Sequence, residues 1–173
     1  MKAAVVYWSG TGNTAAMADL VLEGMQSAGA QADLIECTAV TDLSPYDAIA
    51  FGCPAMGSEQ LEDSEFEPMF DSVKKNLSGK AVALFGSYGW GDGEWMRSWE
   101  EDCRAAGIKL TCESVTVNGA PEGADAEACR EPGKGICLLQ QNTVRGKCRR
   151  RGCQQCRLPA GRRREAGFSG CLL

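Results

Sequence analysis

The chain has 173 residues, 44% hydrophobic and 24% charged, which is the composition of a globular domain with a substantial core. No window of about 18 apolar residues occurs, which argues against a membrane-spanning helix, and the lack of histidine excludes Ser–His and Cys–His catalysis. The net charge of −5 is unevenly divided: residues 1–129 carry 7 basic and 21 acidic side chains, and residues 130–173 carry 11 and 2. The first part is therefore a poor nucleic-acid binder.

Strands and helices alternate along the first 131 residues. Runs of apolar or alternating residues predict five strands, at 2–7, 31–36, 48–53, 80–86 and 109–117. Helical spacing predicts four helices, from Thr14 to about Gly29, over 64–77 with Ser64 as its cap, over 93–107, and from residue 123. This order predicts an α/β fold with a parallel sheet and helices on both faces.

The N-terminal apolar run is short and leads directly into a glycine-rich loop, which favours a first strand over a signal peptide. We therefore expect a cytoplasmic protein whose ten cysteines are mostly reduced thiols. Within the predicted domain these thiols are expected to be small core or surface residues, namely Cys37, Cys53, Cys103, Cys112 and Cys129.

The pattern changes at Pro132, which is expected to interrupt the last helix. Residues 132–173 are expected to form a basic, Cys- and Arg-rich tail outside the core, either disordered or the product of an out-of-frame reading. Its arginine runs could instead bind acidic lipids, nucleic acid or the acidic part of the chain. Four thiols could hold a metal ion, but their spacing matches no zinc-ribbon or ferredoxin pattern, so no metal is expected: Cys137, Cys148, Cys153 and Cys156.

Three loops, 8–14, 54–63 and 86–95, follow the first, third and fourth predicted strands. In an open parallel sheet, ligands bind beyond the carboxyl ends of the strands. The first loop offers hydroxyl, amide and backbone donors at the start of a helix, an arrangement that favours an anion although the loop contains no Lys or Arg. A simple capped turn, a dinucleotide fingerprint formed by Gly10, Gly12 and Ala15 with Glu36, and a phosphate cradle all remain open, whereas a P-loop is excluded.

The other two loops carry large side chains among glycines. Trp90 is flanked by Gly89 and Gly91, which is typical of a plate for stacking on a flat ring, and Met56 offers a second, adaptable plate. The alternative is that Trp90 only covers the end of the sheet. Trp95 and Trp99, four residues apart, are predicted to pack on a helix face.

The segments "VVYWSGTGNT", "AMGSEQLEDSEFEP" and "KAVALFGSYGWGDGEWMRSWEE" resemble the short-chain flavodoxins of anaerobic bacteria, and the resemblance covers residues 1 to about 131. It implies a doubly wound five-stranded parallel sheet in the order 2-1-3-4-5 with non-covalently bound FMN. It also implies a monomeric carrier, not an enzyme, that passes one electron at a time at low potential between redox proteins such as ferredoxin-dependent oxidoreductases. No nucleic-acid or membrane partner is expected.

The resemblance also implies roles for matching positions. Phosphate would be held by Ser9, Gly10, Thr11, Gly12, Asn13 and Thr14. Met56 and Trp90 would sandwich the flavin ring, Glu59 would accept from its N3–H, and the Gly57–Ser58 peptide would turn over on reduction to face N5–H. The remaining implied cofactor-binding positions are Pro54, Ala55, Ser87, Tyr88, Gly89, Gly91 and Asp92.

Two positions depart from the family pattern. Pro54 stands where a phosphate-binding Ser is common, and since proline has no donor, one phosphate contact is expected to be lost. Ser58 stands where similar family members carry Asp or another small residue, and because this turn needs positive φ near Gly57, the change is expected to alter the stability of the flavin semiquinone. Acidic residues beside the flavin are expected to steer docking to basic partner surfaces: Glu59, Glu62, Asp63, Glu65, Glu67 and Asp71.

Two rival functions use the same sequence features. An FMN- or NAD(P)-dependent reductase would need a substrate pocket, for which no inserted segment is evident. A nonredox interaction protein would act through its basic tail.

Overall fold

The computed structural model describes residues 1–150, with side chains to residue 140. The strands are β1 (Lys2–Tyr7), β2 (Gln31–Glu36), β3 (Ala48–Gly52), β4 (Ala81–Tyr88) and β5 (Val115–Asn118). The helices are α1 (Asn13–Ser27), α2 (Phe66–Val73), α3 (Glu94–Ala105) and α4 (Ala124–Arg150). Short 3₁₀ turns follow β2 at Cys37–Ala39 and α2 at Lys74–Asn76.

All five strands are parallel and lie in the order β2-β1-β3-β4-β5, which confirms the predicted fold class. The three central strands bury both faces, as their apolar runs predict. One core cluster packs between the sheet and α2 and α3, where Trp95 and Trp99 are buried as expected. The second packs between the sheet and α1 and α4.

The strand order reverses between β1 and β3. From β1 the chain passes through α1 to β2 on one side, and then crosses to β3 on the other side of β1. At such a switch point the loops leave the sheet in opposite directions and open a crevice beyond the carboxyl ends of the strands. The fold therefore places the loops after β1, β3 and β4 around one crevice.

Two predicted element boundaries are wrong. Helix α2 begins only at Phe66, and its first amides bind the Glu62 carboxylate instead of a Ser64 side chain, because Glu62 folds back over the helix start. Strand β5 is also shorter than predicted: Leu110 forms an isolated bridge with Val82, and the continuous strand begins at Val115.

The expected interruption at Pro132 is also wrong, because α4 continues through this proline to Arg150. Ile136 and Cys137 are fully buried in the core cluster, and a Cβ on Gly133 would overlap the Val21 carbonyl of α1. Close packing against α1 thus outweighs the hydrogen bond that Pro132 cannot donate. Residues 151–173, with Cys153, Cys156 and the second arginine run, lie outside the described residues, and the division into two domains stays a prediction.

The helices that the structure describes include none that is both long and apolar enough to cross a membrane.

Candidate cofactor site

A cavity of about 290 Å³ opens among the loops that follow β1, β3, β4 and β5. Nine residues predicted from the sequence line it: Gly10, Thr11, Asn13, Pro54, Ala55, Met56, Ser87, Tyr88 and Gly89. Two further lining residues, Trp8 and Gly119, were missed. Trp8 begins the glycine-rich loop, whereas Gly119 follows β5, whose loop carries no polar or aromatic signal.

The other predicted residues surround this cavity without lining it. Ser9 and Gly12 line a neighbouring cavity of about 320 Å³ together with Glu36. Thr14 is buried beneath the loop. The remaining predicted residues belong to the two outer loops: Gly57, Ser58, Glu59, Trp90, Gly91 and Asp92.

Hydroxyl groups organise the loop after β1. The Ser9 hydroxyl accepts from the Gly12 amide at 3.1 Å, and Gly12 takes a φ of 92° immediately before α1. The Thr14 and Ser87 hydroxyl oxygens lie 2.8 Å apart, and both residues are buried. Since the first amides of a helix lack intrahelical partners, the loop gathers neutral donors at the positive end of α1.

Trp8 connects this loop to α2. Its Nε1–H donates to the Glu65 carboxylate at 2.7 Å. Its ring lies over Gly10, where an added Cβ would be 2.9 Å from Trp8 Cη2. The Trp8 indole therefore forms one wall of the cavity, and its position is fixed by Glu65, which does not line the cavity.

A tight turn spans Met56–Glu59, closed by the Glu59 amide donating to the Met56 carbonyl at 3.1 Å. Positive φ occurs next to Gly57, as expected: φ is 63° at Ser58 and 49° at Glu59. Positive φ costs a residue with a Cβ about 1–2 kcal/mol. Ser58 thus occupies the third position of the turn, which normally favours glycine or asparagine.

Glu59 joins this turn to the loop after β4. Its carboxylate accepts from the amides of Gly93 at 3.2 Å and Glu94 at 2.7 Å, at the start of α3. Gly91, with a φ of 92°, leaves the space that the carboxylate fills. Asp92 forms an ion pair with Arg97 at 2.7 Å instead of facing the cavity.

The two predicted plates differ in environment. Met56 is half-buried on the cavity wall, whereas Trp90 is 62% exposed and therefore does not cover the end of the sheet. Gly89 has open space at its Cβ position. Tyr88 packs inward against Trp95, with ring centroids 5.6 Å apart. A large apolar side chain is thus exposed beside a partly apolar crevice.

Thiols near the site are protonated at neutral pH. Burial raises the pKa of Cys53 to about 12, and burial followed by the nearby Glu65 and Glu62 carboxylates raises that of Cys37 to about 11. Neither group is therefore a nucleophile. The described cysteines are buried, except Cys112, which is half-buried, in agreement with the expected core and surface thiols.

A doubly wound parallel sheet with hydroxyl and amide donors at its switch point defines an α/β protein that binds a phosphorylated cofactor. The flavodoxin family model matches residues 5–133. A Megasphaera elsdenii flavodoxin is 46% identical over 132 residues, covering 75% of this chain and 94% of that protein. A Clostridium beijerinckii flavodoxin is 45% identical over 137 residues, covering 78% and 99%.

The solved structures agree with these matches. The solution structure of two-electron reduced Megasphaera elsdenii flavodoxin superposes with a TM-score of 0.73 at 42% identity, covering 79% of this chain and 98% of that one. An archaeal flavodoxin gives a TM-score of 0.75 at 31% identity, covering 82% and 99%. The chain belongs to the flavodoxin family. It is therefore an FMN-binding, low-potential electron carrier that exchanges electrons with redox proteins, and not an enzyme.

Proposed function

We propose that the three loops at the switch point hold FMN, with its phosphate at residues 9–14 and its ring between Met56 and Trp90. The single observation that carries this assignment is the buried Thr14–Ser87 hydroxyl pair at the start of α1, beside a cavity with a partly apolar wall. The donor set fits FMN, because the loop at the start of α1 supplies neutral donors and the loops after β3 and β4 carry Met56 and the exposed Trp90. FMN supplies the redox chemistry, and the protein binds and orients it.

The phosphate end depends on neutral donors. Neither Lys nor Arg is among the described residues that line the cavity. The α1 amides and the hydroxyls of Ser9, Thr11 and Thr14 would supply the hydrogen bonds, and the helix dipole would supply partial positive charge. Pro54 contributes no donor, and the Ala55 amide already donates to the Ser87 carbonyl at 2.9 Å.

The part of the site proposed for the flavin ring is formed by the loops after β3 and β4. Glu59 already accepts from two amides, but a carboxylate has about four lone-pair sites, so it retains capacity for the flavin N3–H. The positive φ of Ser58 leaves the Gly57–Ser58 peptide in a strained turn. That strain supports a peptide able to change its orientation when the cofactor is reduced.

The partner surface is smaller than the sequence suggests. Glu62 is only 4% exposed, so it is wrong as a docking residue, and Glu65 is engaged by Trp8. Exposed acids remain on and before α2, namely Asp63, Glu67 and Asp71, the last of which forms an ion pair with Lys74 at 2.7 Å. We propose that they guide a basic surface of a ferredoxin-dependent oxidoreductase toward the exposed Trp90 edge.

The same proposal includes a monomer and a reducing compartment such as the cytoplasm, and the compartment is supported by six free, mostly buried thiols among the described cysteines. Its FMN-binding unit comprises the predicted residues 1–131 together with the next turns of α4, because Ile136 and Cys137 belong to the core.

The decisive experiment titrates the apoprotein with FMN and with riboflavin, and then reduces the complex stepwise with dithionite. Tighter binding of FMN than of riboflavin and two separate one-electron steps are expected. Equal affinities would contradict the phosphate cradle. Electron delivery to a ferredoxin-dependent oxidoreductase should slow as ionic strength rises, whereas salt-independent transfer would contradict the acidic docking surface.

A further inference from the structure

Glu62 lies between the Met56–Glu59 turn and α2, and only 4% of it is exposed. A carboxylate is rarely buried so far unless it is paired or hydrogen-bonded. Among residues 1–140 no basic side chain forms an ion pair with it. Its partners are instead the backbone donors at the start of α2.

The carboxylate binds three consecutive amides. Oε1 accepts from the Ser64 amide at 3.0 Å and also from the Ser64 hydroxyl. Oε2 accepts from the amides of Glu65 and Phe66, both at 2.8 Å. Such amides have no intrahelical partner, so the negative charge is balanced by the positive end of α2.

These bonds hold Glu62 in its ionised form. Burial alone would raise the pKa of Glu62, but the hydrogen bonds from the Ser64 hydroxyl and from the Phe66, Glu65 and Ser64 amides together lower it below the ordinary value. The ionised carboxylate accepts every one of these bonds, whereas a neutral amide side chain would direct an N–H group at some of the same donors.

The backbone of Glu62 closes the loop that carries the turn. Its N–H points at Cys53 Sγ, 3.4 Å away, so the exit of the loop is tied to the end of β3. Ser58 and Glu59, which lie between Cys53 and Glu62 in the chain, both have positive φ. Such strained residues persist only where the surroundings over-determine them.

Hydrogen bonds also connect Glu62 to the loop after β1. Glu62 fixes the Glu65 amide, and the Glu65 carboxylate accepts from Trp8 Nε1–H at 2.7 Å. Trp8 lines the cavity and lies over Gly10. A chain of hydrogen bonds therefore runs from Glu62 through Glu65 to Trp8, which lines the same cavity as Met56.

We propose that Glu62 is a positioning residue for FMN, which holds the Met56–Glu59 turn and, through Glu65, the Trp8 wall in their binding positions. Glu62 itself does not line the cavity, so it acts through these neighbours. This inference rests on the proposed FMN site and adds a residue that neither contacts the cofactor nor faces a partner.

The test compares Glu62→Gln with Glu101→Gln, the same chemical change at an exposed position of α3. The FMN dissociation constant of Glu62→Gln should rise about tenfold, and the gap between its two one-electron midpoint potentials should shrink. Glu101→Gln should match wild type. A purely structural role would lower the melting temperature of Glu62→Gln and leave both the affinity of the folded protein and its potentials unchanged.

Folded Glu62→Gln with the affinity and potentials of Glu101→Gln overturns the proposal. If Glu62→Gln does not fold, Glu62→Asp decides: it keeps the charge with a shorter reach, so a raised dissociation constant supports the proposal and an unchanged one overturns it. Wild type that binds no FMN would instead contradict the FMN site itself, which separates the two failures.

Discussion

Thr14 and Ser87, 73 positions apart in the chain, share a buried hydrogen bond of 2.8 Å between their hydroxyl oxygens. Thr14 lies in the first turn of α1, and Ser87 lies near the end of β4. Two hydroxyls bring two protons to one bond, so one proton remains for another acceptor. The pair thus joins the proposed phosphate loop to the centre of the sheet and retains a donor for the ligand.

Thr14→Val should weaken FMN binding about 10- to 100-fold, because a hydrogen bond to a charged group contributes about 1.5–3 kcal/mol. Riboflavin, which lacks the phosphate, should bind as it does to wild type. Flavin fluorescence titrations of the apoprotein measure both affinities. Thr116→Val, at an exposed site on β5, is the matched control. An equal loss for the two flavins would show that Thr14 acts on the ring and not on the phosphate.

Trp90→Ala should leave the apoprotein as stable as wild type, since the side chain is 62% exposed. It should weaken FMN and riboflavin alike, by about tenfold, because the ring loses stacking and buried apolar area. Thermal unfolding of the apoprotein and flavin titrations give the two readouts. A clear drop in melting temperature would mean that Trp90 packs on the sheet after all.

The sequence predicts what depends on local pattern. Apolar runs locate the buried strands, and the alternation of strands and helices yields the parallel sheet. The errors arise where a particular side-chain or backbone contact decides the conformation. The cap of α2 comes from Glu62 folding back, and α4 passes Pro132 because α1 packs closely against Gly133. Neither relationship is visible in hydrophobic spacing or in helix propensity.

In the candidate site, too, local sequence pattern predicts some residues and contacts between elements determine others. Strand-end loops rich in glycine, hydroxyls and aromatic side chains identify most of the lining residues. The sequence does not predict Gly119, because it follows β5 and lies at the site only through its contact with β4. Its amide donates to the Tyr88 carbonyl at 2.9 Å. The sequence predicts positive φ near Gly57, whereas the hydrogen bond that closes the turn decides that Ser58 and Glu59 adopt it.

Gly91→Ala should displace Glu59, because a Cβ on Gly91 would overlap Glu59 Oε1. The amides of Gly93 and Glu94 would then lose their acceptor. FMN binding and stability should both fall. Gly79→Ala is the matched control, since Gly79 has a similar φ of 80° with open space at its Cβ position. It should show only the backbone penalty of about 1–2 kcal/mol, and equal losses in both variants would contradict the Glu59 contact.

Acid should remove the stabilisation that Glu62 provides. The pKa of Glu62 is lowered in the folded protein from its ordinary value of 4.5, so its contribution is present above 4.5 and is lost as the pH falls through the folded value. Facing groups are Glu65 just before α2, Glu67 in its first turn, and the Cys53 and Cys37 thiols, whose pKa values of about 12 and about 11 keep them neutral. Urea unfolding of wild type and Glu62→Gln should give a difference that is constant near neutral pH and shrinks as the pH falls below 4.5. A pH-independent difference would contradict the ionised cap.

Two glycines in α4 should respond oppositely to alanine. A Cβ on Gly133 would overlap the Val21 carbonyl and lie 2.9 Å from the Met25 amide nitrogen, so Gly133→Ala must push α4 away from α1. We expect a loss of about 2 kcal/mol or more in the free energy of unfolding. Gly135→Ala meets open space, so the higher helix propensity of alanine should stabilise the protein by about 0.5–1 kcal/mol. Urea unfolding measures both. Two neutral substitutions would mean that the chain beyond Pro132 does not pack as a helix against α1, whereas opposite signs would place this segment within the folded unit.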